Sequence, residues 1–204
     1  NNFMIDKEAI YSFINIPAVD QNNKGVSTVL YVEAKPGTGK VLIDIDSLLF
    51  WADTQDSIRI AKEVAQNYTG LDLSKYDLRY SIKANATLVG GPSAGSAIAI
   101  ATIAALENKT LNPDVMITGT INHDGTFGLV GAITEKAIAS KEIGAELFLV
   151  PLLESREVTY EERRYCRTLG LGEFCTIEQI PVNINVQEKA GIEVREVENI
   201  KEAL

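Results

Sequence analysis

One histidine and two cysteines among 204 residues leave this chain poor in the side chains that zinc and imidazole chemistry need. A structural zinc site uses about four Cys or His ligands, and His123, Cys166 and Cys175 cannot supply them. A Ser-His-Asp triad exists only if His123 serves, and His123 stands in the turn-forming stretch Asn122-His123-Asp124-Gly125, where a histidine is ordinarily a solvated surface residue. Cys166 and Cys175 either close a short loop as a disulfide or remain two reduced thiols, and a lone pair does not decide the redox compartment. Positive charge is also scarce. Nineteen Lys and Arg face 28 Asp and Glu, for a net charge of −9, and the one basic pair, Arg163-Arg164, sits among glutamates. Nonspecific nucleic-acid binding is therefore not expected. Long apolar runs are missing too. The longest, residues 95–106, falls short of the roughly 20 residues that span a bilayer, and Glu107-Asn108-Lys109 ends it. No secretory segment opens the chain. Its abrupt start at Asn1-Asn2 suits a trimmed piece of a longer protein, so localisation stays open between the cytoplasm and an exported or membrane-anchored parent.

What is present suits a packed core: 46% apolar and 23% charged residues. The pattern predicts one α/β (α+β) domain over residues 1–204, with mixed sheets and a buried central helix. Residues 1–26 read as an N-terminal strand, near 10–16, and a loop. The β-rich runs 27–34 and 41–46 flank Pro36-Gly37-Thr38-Gly39, which is turn chemistry and predicts a hairpin. Apolar residues at helical spacing predict a helix from Asp53 or Thr54 to Tyr68, stopped by Gly70. Residues 77–84 read as a strand. The run 90–106 is apolar on all sides and rich in small residues, which predicts a helix packed closely in the middle of the domain. Strands at 115–121 and 146–151 flank a helix over 132–143. Residues 154–181, charged and carrying both cysteines, read as an insertion or a helical excursion. A strand and a short helix end the chain.

Lys35-Pro36-Gly37-Thr38-Gly39-Lys40 imitates a phosphate-binding loop. It lacks the first glycine, where Ala34 stands, and the hydroxyl residue after the lysine, where Val41 stands. A strand pattern follows where a helix must open, so a turn is expected there and no nucleotide.

Gly90-Gly91-Pro92-Ser93-Ala94-Gly95 is the candidate site. Proline suits the first helical turn, which places Ser93 near a helix N-terminus. Unpaired N–H groups and the helix dipole favour negative charge there, as an oxyanion requires. Alone, the motif is more often simply a serine in a glycine-rich turn. A nucleophilic serine needs a base. On a wheel of the helix 132–143, Ile133, Lys136, Ala137, Ala139, Ser140 and Ile143 share one side, while Thr134, Glu135, Lys141 and Glu142 face elsewhere. Lys136 thus points into the apolar side. Burial lowers a lysine's pKa, and a neutral amine can take a serine's proton. The bland alternative is a lysine whose stem packs while its ammonium reaches water.

These pieces, in order, resemble the proteolytic domain of Lon proteases. The stretch 36–151 is similar to it through Pro36-Gly37-Thr38-Gly39-Lys40, the helix around 55–65, Gly91-Pro92-Ser93-Ala94-Gly95, Asn112-Pro113, Thr118-Gly119, residues 125–131 and Glu135-Lys136, and the C-terminal GIEVREVENIKEAL also fits. The resemblance implies a Ser93–Lys136 catalytic dyad, 43 residues apart, with Thr118 orienting the lysine and Gly90 and Gly91 supporting the site. It implies peptide or unfolded-protein substrates, no metal or cofactor, and a homo-oligomeric ring, a hexamer in that family. Two departures stand out. Gly90 replaces the acidic residue that often precedes this motif, and the usual TGE reads Thr118-Gly119-Thr120. The Val89-Gly90-Gly91-Pro92-Ser93 form resembles an archaeal Lon-like branch without an ATPase domain, which includes membrane-linked members. The competing readings are an inactive binding or assembly module of the same fold and, further off, a small-molecule kinase of similar fold. Labelling by a serine-directed electrophile separates the first reading from both.

Overall fold

The structure is a computed structural model, and it describes residues 9–44, 52–83, 91–170 and 172–204. The first sheet has four strands: β1 (Ile10–Val19), β2 (Gly25–Pro36), β3 (Val41–Ile43) and β4 (Tyr76–Lys83), in the order β1-β2-β4-β3. Strands β1 and β2 form the antiparallel hairpin that the N-terminal pattern allows. The hairpin expected between residues 27–34 and 41–46 does not form. Strand β4 lies between β2 and β3, antiparallel to the first and parallel to the second. The turn chemistry at residues 36–39 is real, but it serves a non-local contact. The Asp77 carboxylate accepts hydrogen bonds from the N–H groups of Thr38 (2.8 Å) and Lys40 (2.9 Å). Those donors hold the Asp77 carboxyl below the usual range. They are also the backbone donors that a phosphate would have to engage, and a strand follows Lys40 as expected.

Helix α1 (Ala52–Thr69) begins slightly earlier than its sequence pattern suggests, so Asp53 and Thr54 lie inside its first turn. Gly70 ends it at φ +70°, its N–H bonded to the Gln66 carbonyl. Helix α2 (Gly95–Glu107) follows a single 3₁₀ turn, Pro92–Ala94, and is buried along its whole length up to Leu106. Its alanines (97, 99, 101, 104 and 105) let α1 and the first sheet approach closely, and Ile98, Ile100 and Ile103 fill the remaining space. Each such isoleucine contributes roughly 1.5–3 kcal/mol by burial. The helix is tied across the core by Thr102, whose hydroxyl lies 2.9 Å from the Tyr80 hydroxyl of β4.

The second sheet is parallel, in the order β11-β8-β5, from β5 (Val115–Ile117), β8 (Leu147–Pro151) and β11 (Glu193–Val197). The region expected as one strand over 115–121 breaks at Thr118-Gly119 and resumes as β6 (Thr120–Ile121), which pairs with β7 (Phe127–Gly128). Alternate residues of the parallel sheet enter two different cores. Ile117, Leu149 and Val197 face the core that holds α2. Met116, Phe148 and Val150 face the core formed with Ile133 and Ala137 of helix α3 (Ile133–Glu142) and Val186 of α4 (Val186–Ala190). The sheet therefore has α2 on one face and α3 with α4 on the other. The short helix α5 (Ile200–Ala203) closes the chain. Among the described residues no helix is long and apolar enough to cross a membrane.

The stretch 154–181 is not helical. It forms most of a two-stranded antiparallel ribbon, β9 (Arg156–Leu169) and β10 (Gly172–Asn185), exposed over most of its length. Cys166 and Cys175 stand opposite each other in the register and are joined as a disulfide. Two strands without a covering layer are marginal on their own, and a crosslink across nine residues limits the unfolded states of the ribbon by about 2–3 kcal/mol. Removing both thiols as serines is expected to speed amide exchange near the ribbon tip at least tenfold, while the thermal midpoint moves by only a few degrees. Hydrogen exchange read by mass spectrometry, with and without reductant, checks this. A large fall in midpoint would mean that the ribbon supports the body of the protein.

Candidate active site

Helix α2 runs back into the chain that forms β5, so its N-terminus lies at the carboxyl end of the parallel sheet. Ser93, half-buried in the 3₁₀ turn before α2, is fixed there through its backbone. Its carbonyl accepts from the N–H of Gly119 (3.0 Å) and from the Thr118 hydroxyl (3.3 Å). The N–H of Ser96 in turn donates to the Gly119 carbonyl (3.0 Å). The break between β5 and β6 thus clamps both sides of the serine. Gly119 is needed for this: its φ is +147°, and an added Cβ would press on Pro151 at 3.2 Å. Gly95 is needed as well, because a Cβ there would meet the Ile121 backbone nitrogen at 2.8 Å. Gly91 is different. Its backbone is extended and, among the described residues, an added Cβ would meet nothing within 4 Å. Thr54 of α1 donates to the Gly91 carbonyl at 3.5 Å. Gly90 lies outside the described residues.

Lys136 lies in the first turn of α3, the helix that leads from the carboxyl end of β5 into β8. It is only 4% exposed. Burial pulls its amine down to about 8, against the upward pull of Glu154, Glu157 and Glu135 in that order. Among the described residues its amine makes no hydrogen bond or ion pair, and none joins it to the Ser93 or Thr118 hydroxyl. The expected apolar side of α3 is correct except at two positions. Ile143 is exposed, because it caps the helix with φ −92° and ψ 6° and leaves the helical line. Thr134 is buried, because the root of the ribbon covers it and Glu157 accepts its N–H at 3.1 Å.

Helix α3 also seats on β1 and β2. Gly25 permits that contact: an added Cβ would lie 2.0 Å from the Glu135 carbonyl oxygen and 3.1 Å from the Ala139 Cβ. Gly25→Ala is expected to push α3 outward and destabilise the protein by about 1–3 kcal/mol. Because Lys136 follows Glu135 directly, any hydrolysis that depends on Lys136 should fall more than tenfold even at temperatures where the variant stays folded. Turnover and thermal melting of the same sample check this.

His123 is 70% exposed at its side chain and pairs through Nδ1 with Glu63 of α1 at 2.8 Å. An added substrate strand requires a sheet edge, and over Ser81–Lys83 the strand before the motif pairs with β2 on one side and, among the described residues, with no strand on the other. Strand β4 lies between β2 and β3 only as far as Tyr80, and the part running on to Leu88 lies outside the described residues. Sequence reasoning passed over Glu154. It follows β8 at the carboxyl end of the parallel sheet and is buried, with Oε1 accepting from the Val130 N–H at 2.8 Å.

The arrangement is therefore a half-buried serine at the head of a buried helix and a buried, weakly basic lysine on the opposite face of the same sheet. Both lie at the carboxyl ends of its strands. The family of the Lon protease (S16) C-terminal proteolytic domain matches residues 27–201. The chain belongs to that family. Among its relatives are an archaeal Lon protease of Thermococcus kodakarensis, 34% identical over 48% of this chain and 17% of the relative, and one of Methanothermobacter thermautotrophicus, 33% identical over 51% and 17%. A bacterial Lon protease of Phenylobacterium zucineum is 29% identical over 70% of this chain and 19% of the relative. The chain thus spans under a fifth of the length of these Lon proteases, and its 204 residues contain no ATPase domain.

Proposed function

We propose that this Lon-type domain is a serine peptidase in which Ser93 is the nucleophile and Lys136 the general base. The observation that carries the reading is the burial of Lys136 in the first turn of α3, where its amine is held near 8. Without a lowered pKa a lysine is protonated at neutral pH and cannot take a proton. In the first step the neutral amine takes the hydroxyl proton as Ser93 Oγ bonds to the substrate carbonyl carbon. The carbonyl oxygen gains the negative charge, which the positive end of the α2 dipole favours. The oxyanion collapses, the C–N bond breaks, and the ammonium of Lys136 returns its proton to the departing amine. Water then attacks the acyl ester, with Lys136 again as the base, and the acid product leaves with Ser93 restored.

Peptides or unfolded polypeptide segments are the expected substrates, and the family points to a homo-oligomeric ring. As an isolated domain the chain is expected to hydrolyse peptides without ATP. Thr118 and Gly119 hold the serine turn. The test is labelling by a fluorophosphonate, followed by peptide mass spectrometry. An adduct on Ser93 supports the reading. An unlabelled, folded protein would favour a binding or assembly module of the same fold.

A further inference from the structure

Helix α3 has no capping side chain of its own. Its N-cap is Ala132, at φ +57° and ψ +43°. The carboxylates that serve this end come from the segment after β8. Glu154 Oε1 accepts from the Val130 N–H at 2.8 Å, and Glu157 Oε2 accepts from the Thr134 N–H at 3.1 Å. Two anions at a helix N-terminus are favourable by the helix dipole. Glu154 is the more unusual of the pair. It is 8% exposed, and its second oxygen, Oε2, is buried with no hydrogen-bond partner. A carboxylate oxygen left unpaired in the interior is costly unless a cation balances it. The cation that acts on it is Lys136, in the first turn of the same helix.

We propose that Glu154 is a positioning residue for Lys136, holding the turn that opens α3 through Val130 and supplying the main opposing charge to the buried amine. This assignment rests on Lys136 serving as the base. Glu157 of β9 and Glu135 of α3 act on the amine in the same sense but more weakly. No charge from β1, β2 or α4, which also pack on α3, acts on it among the described residues. Glu196 and Glu157 act on Glu154 itself.

The sense of the effect is fixed by charge. An anion near Lys136 favours the ammonium and so raises its pKa against burial. Glu154→Gln keeps an acceptor for the Val130 N–H and removes the charge. The amine should then lose its proton at lower pH, by about half a unit to one unit. One unit below the parental midpoint, the rate should rise about three- to fivefold. Glu154→Asp keeps the charge and should keep the midpoint near the parental one, even if the shorter chain weakens the Val130 contact and lowers the melting temperature.

The experiment titrates Lys136 in the full chain carrying ¹³Cε-labelled lysine, with its resonance assigned by its loss in Lys136→Met. The pH–rate profile and thermal midpoint of each variant are recorded alongside. The expected result is a downward shift of the Lys136 titration and of the rate midpoint in Glu154→Gln, with both retained in Glu154→Asp. A Lys136 titration unmoved in folded Glu154→Gln would overturn the proposal. The lysine titration is read without substrate, so a parent with no peptidase activity would count against the proposed function and leave this test intact.

Discussion

Lys136→Arg is expected to be inactive and Lys136→Met equally so, but the two should part in stability. A guanidinium stays protonated across the working range and cannot accept the serine proton. Methionine has no basic atom at all. In the parent, Lys136 titrates near 8 when folded and near 10.5 when unfolded. Between those values the unfolded chain binds more protons than the folded one, so stability rises with pH through that window. Below about pH 8 the full difference, about 3 kcal/mol, opposes folding. Tyr80 works in the opposite sense above about pH 10, since its burial raises its phenol pKa and the folded state then holds the extra proton. Lys136→Met removes the lysine contribution and fills the same space with an apolar chain of similar length. Its thermal midpoint at pH 7 should rise by roughly 5–10 °C, and its stability should lose the upward slope between pH 8 and 10. Lys136→Arg keeps a charge in the same buried place and should not gain this stability. Melting curves across that range, beside peptide hydrolysis for both variants, check the prediction.

Ser93→Ala is expected to reduce hydrolysis by at least about a thousandfold with stability changed by no more than about 0.5 kcal/mol. The reason lies in how the residue is held. The bonds that fix the turn go to the Ser93 carbonyl, from Gly119 and Thr118, and not to its hydroxyl. Alanine therefore keeps every recorded anchor and loses only the reacting oxygen. Full activity in a folded Ser93→Ala protein would remove Ser93 from the mechanism.

The parts of the fold that can be read from residues are those with strong local periodicity. Helix α2 is legible because every position from 95 to 106 is apolar or small. The inward face of Lys136 is legible because α3 places alanine and isoleucine around it at helical spacing. The position of β4 is not legible, since strong turn residues at 36–39 look self-sufficient. Nothing local shows that Asp77, some forty residues later, takes their N–H groups. The ribbon β9–β10 is hidden for a different reason. Tyr160, Ile177, Tyr165 and Phe174 are exposed on both of its faces among charges, so no one-sided alternation marks the strands. Glu154 is lost with it. A glutamate opening a charged stretch reads as solvated, and only the fold returns it to the buried end of α3.

The most direct test of the Ser93–Lys136 assignment is the pH dependence of single-turnover peptide hydrolysis, where chemistry limits the rate. The rate should rise with pH to a plateau, with its midpoint near 8, where the buried amine loses its proton. The same profile should be absent in Lys136→Arg. A flat parental rate from pH 6.5 to 9.5, or an active Lys136→Arg enzyme, would contradict lysine as the base.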